Sequence, residues 1–207
     1  MLIAVEGVTG IGKSTLQKDI CEYYGACSLS IDYASNHYLT LPNHVNDGDV
    51  NTSLDRELIF MIIGYHQLKS LPAGESLLIS DFAFNRFPVF ASAVLEAHEM
   101  EDLFLPCYRY LKRDLGEPAA IIRLTASPDF VIDRIRKRNR NDEEYFDAAY
   151  ISSVESEFGR SDLFKNRNTI TIYAESYDLF SGNREITGIA RQLEAVVPEI
   201  GDLAKNA

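Results

Sequence analysis

The stretch Gly7-Val8-Thr9-Gly10-Ile11-Gly12-Lys13-Ser14 constrains this chain more than any other. It fits G-x-x-x-x-G-K-[ST], with Thr15 following, and sits between an apolar run (Leu2 to Glu6) and a helical pattern from Ser14 to about Tyr24. Glycines let the backbone turn sharply, so that successive N–H groups point inward around a phosphate. The helix starting near Ser14 adds the positive end of its dipole. Lys13 supplies a mobile charge for the outer phosphates, and the Ser14 hydroxyl is an oxygen ligand suited to Mg²⁺. A chance glycine turn need not carry Lys-Ser in register between a strand and a helix. Gly7, Thr9, Gly10, Ile11, Gly12, Lys13, Ser14 and Thr15 are therefore the expected contacts of a nucleoside triphosphate.

The rest of the chain alternates in the same way. Apolar runs at Leu2–Glu6, Cys27–Ile31, Ser76–Ser80, Ala119–Thr125 and Thr169–Ala174 read as strands. Helical periodicity fills the intervals. Leu54, Leu58, Ile62 and Tyr65 recur at three- and four-residue steps behind a Ser53 N-cap, and Pro72 and Gly74 close that helix. Helices are also expected over Phe87–Ala97, Glu101–Leu115, from Ser127-Pro128, up to about Lys165, and over Arg184–Val197. Five strands interleaved with helices predict a doubly wound α/β domain with a parallel sheet. No repeat or Pro/Gly/Ser linker splits the 207 residues, so one domain over 1–207 is expected.

Composition removes other classes. Thirty-one acidic residues against 20 Lys plus Arg give a net charge of −11, which repels a nucleic-acid backbone. No apolar run approaches the roughly 20 residues that span a bilayer, and only a short apolar run precedes Glu6, unlike a secretory leader. Cys21, Cys27 and Cys107 show no metal-ligand spacing, and reduced, mostly buried thiols of a cytoplasmic protein are expected. His37 and His44 share one polar stretch and read as loop residues.

Ligands of a parallel sheet collect at the carboxyl ends of its strands. Asp32 follows the second strand and Asp81 the third. A hydroxyl that accepts a phosphoryl group needs a carboxylate to orient it and take its proton, and Mg²⁺ needs a carboxylate of its own. Asp32 is assigned the first role and Asp81 the second. Arg134, Arg136, Lys137, Arg138 and Arg140 place five cations in seven residues, followed by Asp142, Glu143 and Glu144. Arg134 and Arg138 share a helix face and Arg136 and Arg140 another. Arg forks make bidentate contacts with phosphate oxygens, so this segment, about 134–146, reads as a lid over the transferred group. Tyr33, Tyr38, Phe60, Tyr65, Phe82 and Phe84 lie on segments expected to wall the acceptor cleft, most of them as core and one or two as stacking surfaces.

The chain resembles the deoxynucleoside kinase family, relatives of the thymidylate kinases, in IAVEGVTGIGKSTL, LLISDFAFNRFPVFASA and LTASPDFVIDRIRKRNRNDEEYFDAAYISSVESEF. The resemblance implies the P-loop NTP hydrolase fold, ATP with Mg²⁺, and usually a homodimer built on mid-chain helices. It places Arg134, Arg138 and Arg140 at the lid arginines, and Asp142 or Glu143 at the acidic positions. The departures fall on the acceptor side. Asp32-Tyr33 stands where the family has a Glu, commonly followed by Pro, as general base. Asp81 is followed by Phe82, leaving Arg86 as the nearby cation for the sugar 5′ end. The base-reading Gln is replaced by an apolar residue near Ile62, with Gln67 further on.

The expected activity is transfer of the γ-phosphoryl of ATP to the 5′-hydroxyl of a deoxynucleoside. Lys13, Asp32, Asp81, Arg134 and Arg138 are its expected catalytic residues. Arg138 and Arg140 are also expected to touch the nucleotide, and Asp32, Tyr38, Phe60, Phe82, Arg86 and Glu143 the acceptor. Two other readings stay open from sequence. A nucleoside monophosphate kinase would use Arg86 for the acceptor's own phosphate, and a catalytically silent nucleotide-binding subunit would explain the altered acceptor residues.

Overall fold

A computed structural model of the protein describes residues 1–32, 50–71, 77–138, 147–164, 168–176 and 186–204. The apolar runs become β1 (Leu2–Glu6), β2 (Cys27–Leu29), β3 (Leu78–Ser80), β4 (Ala120–Thr125) and β5 (Thr169–Tyr173). They form one sheet in the order β2-β3-β1-β4-β5, and every pairing is parallel. Ile3 lies opposite both Ile79 and Ala120, and Ile3, Ala4 and Val5 have no exposed surface, as befits a central strand covered on both faces. The chain winds to one edge through β2 and β3 and to the other through β4 and β5. The reversal falls beside β1, the strand that runs into the glycine-rich loop.

The helices are α1 (Lys13–Tyr24), α2 (Val50–Lys69), α3 (Arg86–Ser92), α4 (Ala97–Glu99), α5 (Leu105–Lys112), α6 (Pro128–Arg138), α7 (Ala148–Arg160), α8 (Ile186–Val196) and α9 (Ile200–Ala204). α2 begins before the expected cap at Ser53; Asn51, Thr52 and Ser53 are all cap-forming types, so composition singles out none. A π-helical segment, Met100–Phe104, joins α4 to α5 just ahead of Pro106, whose missing N–H breaks the ordinary ladder. At α6 the expected start holds: the Phe130 N–H donates to Ser127 Oγ, with Pro128 in the first turn.

Two apolar clusters hold these layers. The larger packs α1, α6, α7 and α8 against the sheet through Ile3, Leu16, Ile122, Leu124, Phe158 and Leu193. The smaller joins α2, α3 and α5 around Met61, Phe82, Phe84, Phe87, Phe104 and Tyr108, with Phe84 stacked on Tyr108 at 5.3 Å between centroids. Gly64 lets α2 approach α3, because a Cβ there would collide with the ring of Phe87. One side chain pins the carboxyl ends of the first strands. Gln17 Nε2 of α1 donates to Leu29 O at 2.8 Å and Ile79 O at 2.9 Å, while Ser30 Oγ donates to its Oε1 at 3.1 Å.

The thiols differ from expectation. All three are free, but Cys27, on the edge strand, and Cys107, on α5, are exposed, and Cys21 is half-buried. An edge strand and a surface helix leave one face to solvent, where a small apolar residue costs little. Among the described residues no helix is long and apolar enough to cross a membrane.

Replacing Gly64 with Ala forces Phe87 to shift within a filled core. The expected result is a loss of about 1–3 kcal/mol in unfolding free energy, read by urea denaturation, with the glycine-rich loop untouched.

Candidate active site

β1 delivers the chain to Gly7, and from there three glycines set the path. Gly7, Gly10 and Gly12 have φ of 148°, 81° and 113°, values that side chains rarely adopt. Two of them are also in close contact with neighbours. A Cβ on Gly7 would lie 2.6 Å from Leu124 O, and one on Gly10 would lie 2.5 Å from Ile135 Cγ1 of α6. The loop is therefore wedged between β4 and the helix that opens the arginine-rich segment. Gly12 caps α1 without a side-chain hydrogen bond, and its carbonyl accepts the N–H groups of Thr15 and Leu16, both at 3.1 Å, so the Lys13 and Ser14 amides are the ones at the helix start that suit an anion. Ile11 contributes its backbone here, since its side chain is fully buried in the core. Thr9 and Thr15 are half-buried, and Ser14 is exposed at the start of α1.

Lys13 is folded back over this loop. Its Nζ donates to Gly7 O and Val8 O, both at 2.9 Å. Burial lowers its pKa to about 7, with Arg86 lowering it further and Glu6 and Asp81 opposing. The exposed Arg138 is close enough to weigh on the same ammonium. Beside it, Ser14 Oγ faces Asp81 Oδ2 at 3.5 Å. Two hard oxygen donors at the mouth of a phosphate loop suit Mg²⁺, so these residues fit that ion.

Asp81 also accepts the N–H of Ile31 on Oδ1 at 3.1 Å, which brings the exit of β2 against the exit of β3. Asp32 follows directly and is exposed; its N–H donates to Gln67 Oε1 at 3.1 Å. Gln67 also donates Nε2 to Ser30 O at 3.0 Å, so its amide holds the exit of β2. Ile62, the other position weighed for base reading, is 45% exposed.

Arg86 is buried at the start of α3, donates Nη1 to the Asp81 carbonyl at 3.3 Å, and lies over Phe90 with Cζ 4.6 Å from the ring centroid. Its charge acts on Glu6, Lys13 and Glu57. The two arginines of α6 that the sequence assigns to a lid part company. Arg134 is buried over Phe130, whereas Arg138 is exposed and acts on Lys13. Arg136 is exposed as well, 3.9 Å from Asp133. Phe60 is half-buried on α2, while Phe82 has no exposed face and packs edge-on to Phe87. Tyr38, Arg140 and Glu143 lie outside the described residues, as do Tyr33, His37, His44, Asp142 and Glu144.

Two carboxylates escape a reading of the sequence. Glu6 ends β1 with no exposure, and Glu57 is buried on α2, where burial raises its pKa against the pull of Arg56 and Arg86. Each is a charged residue in an apolar pattern: Glu6 closes Leu2-Ile3-Ala4-Val5, and Glu57 shares a helix stripe with Met61 and Gly64. That interruption was the available signal.

A wedged glycine loop at the reversal point of a parallel sheet, with a lysine over it and a Ser–Asp pair beside it, defines a P-loop phosphotransferase. The profile of the deoxynucleoside kinase family matches residues 3–198, and the chain belongs to that family. It is 29% identical over 161 residues to the deoxyguanosine kinase of Bacillus subtilis (strain 168), covering 75% of each chain. Structures of the deoxyadenosine kinase from M. mycoides share the fold. The one with bound dATP has a TM-score of 0.74 at 19% identity and covers 97% of this chain and 100% of that one. The one with bound dCTP has a TM-score of 0.72 at 20% identity and covers 98% and 100%.

The charge state of Lys13 gives a pH prediction for metal-free ATP. In the empty loop Lys13 is charged below about pH 7 and neutral above it, while bound phosphates favour the charged form. Binding above pH 7 must therefore take up protons. Affinity is expected to weaken by up to about tenfold per pH unit between roughly pH 7 and 9, as read by calorimetry in buffers of different ionisation heat.

Proposed function

We propose that this protein transfers the γ-phosphoryl of ATP to the 5′-hydroxyl of a deoxynucleoside. One observation carries this reading: Lys13 over the loop, the Ser14–Asp81 pair and the Arg86 guanidinium converge where β1 and β3 end. The loop amides and Lys13 bind the donor phosphates. Ser14 and Asp81 would hold Mg²⁺, which when bound supplies charge neutralisation between the outer phosphates. Asp32 stands next to Asp81 with its carboxylate on an exposed segment, and it orients the 5′-hydroxyl and takes its proton. The acceptor oxygen bonds to the γ-phosphorus as the bond from that phosphorus to the β,γ-bridging oxygen breaks, and ADP leaves. Arg86 and Arg138 offset charge on the transferred group, and Arg134 supports the segment that carries Arg138.

Burial of Arg86 beside Asp81 supports a role at the 5′ oxygen, where the family places an arginine directly after the acidic residue. The same burial weighs against using it for a phosphate already on the acceptor. Phe60 is available to line the cleft; Tyr38 and Glu143, assigned to the acceptor from sequence, lie outside the described residues. Exposed Leu103 and Tyr110, at 47% and 68%, support a homodimer built on this middle part of the chain. A cytoplasmic location fits the free thiols.

Acceptor-dependent ADP release, measured with ATP against a panel of deoxynucleosides and their monophosphates, tests the reading. Deoxynucleosides are expected to drive release and monophosphates to fail. Lys13→Ala is expected to abolish turnover and greatly weaken ATP binding. Asp32→Asn is expected to lower kcat by about 100-fold or more with ATP affinity within roughly threefold. Retention of most activity by Asp32→Asn would remove the base assignment.

A further inference from the structure

Glu6 has no exposed surface, and its two carboxylate oxygens differ. Oε1 accepts the N–H of Ala83, in the turn between β3 and α3. Oε2 makes no hydrogen bond among the described residues. A buried carboxylate oxygen without a donor is costly unless an opposite charge offsets it. Arg86 acts on Glu6 more strongly than any other charge, followed by Lys13 and then the like-charged Asp81. Arg123, which pairs in register with Glu6 on β4, is committed elsewhere, 2.6 Å from Glu155. The charge of Arg86 also bears on the buried Glu57 of α2, which is itself bonded by Arg56 Nε at 3.1 Å. The guanidinium itself is held against the Asp81 carbonyl and the Phe90 ring, at the end of the turn that Glu6 bonds.

We propose that Glu6 is a positioning residue: it ties the β3–α3 turn to the strand that feeds the glycine loop, and it aims the Arg86 guanidinium at the acceptor oxygen. This rests on the deoxynucleoside kinase reading. The tie explains how the two halves of the site keep register. Ala83 lies two residues beyond Asp81 and three before Arg86, so a single hydrogen bond to β1 sets both. Lys13 also bears on Glu6, but less than Arg86 does, and it bonds the Gly7 and Val8 carbonyls, so a fault at Glu6 falls mainly on the acceptor.

The test is a double-mutant cycle. Glu6→Gln keeps an oxygen for the Ala83 N–H and removes the charge that faces Arg86. It is expected to lower kcat/KM for the acceptor by about 10- to 100-fold, with the KM for ATP within roughly threefold. In an Arg86→Gln background the same change should cost less than about threefold, because its target is gone. A merely structural role would cost the same factor in both backgrounds, and that result overturns the proposal. Glu6→Asp, which keeps the charge on a shorter stem, is read in the same cycle should Glu6→Gln fail to fold. If the wild type turns over no deoxynucleoside, the functional reading has failed, and the tie is read without turnover. Glu6→Ala should then speed hydrogen exchange of the Ala83 amide by about tenfold or more, and unchanged exchange overturns the tie.

Discussion

The site depends on how closely neighbouring elements approach the backbone of the glycine loop. Where Gly7 leaves β1, the carbonyl of Leu124 on β4 comes so near that no Cβ fits, and at Gly10 the side chain of Ile135 does the same from α6. The loop is thus held on both sides by elements that the parallel pairing of β1 and β4 has already positioned. Its amides are aimed before any ligand arrives, and preorganisation of this kind lets backbone dipoles act on phosphate at little further cost.

Around this rigid hollow the protein gathers charge in a dry setting. Lys13, Arg86, Glu6 and Asp81 act on one another with little solvent between them. Both the lysine and the glutamate are held near the pH at which they change charge, so arrival of an anion shifts protons as well as side chains. The lysine bonds loop carbonyls until a phosphate offers a better partner. Aromatic packing carries this frame outward: Arg86 lies over Phe90, which meets Phe158 edge-on, and Arg123 lies over Phe158. In this way α3 and α7 share one packed seam.

Much of this was written in local pattern. Apolar runs of five to seven residues, alternating with helical periodicity, read as the strands of a parallel sheet, so the sheet and the Gly7–Ser14 loop were readable from sequence. The split of the lid was half readable. Helical spacing put Arg134 and Arg138 on one face, but only tertiary packing buries the first over Phe130 and leaves the second exposed, acting on Lys13. Phe82 shows the same limit, since an aromatic residue beside Asp81 can serve cleft or core, and here it has no exposed face. Glu6 and Glu57 were missed because a charge in a sequence is read as solvated unless its partners are known. For Glu6 those partners, Arg86 and the Ala83 amide, are distant in the chain; for Glu57 the bonded partner is the adjacent Arg56, a pair that reads as solvated until packing buries it.

In the proposed reaction the hollow and the carboxylates beside it direct a phosphoryl group onto a sugar hydroxyl. Phosphorus NMR of the protein incubated with Mg-ATP and a deoxynucleoside tests it most directly. The account predicts a new monoester resonance coupled to the two 5′ methylene protons, growing as ADP accumulates. Phosphate released only as the free inorganic ion, or a product resonance coupled to the 3′ proton, would contradict it.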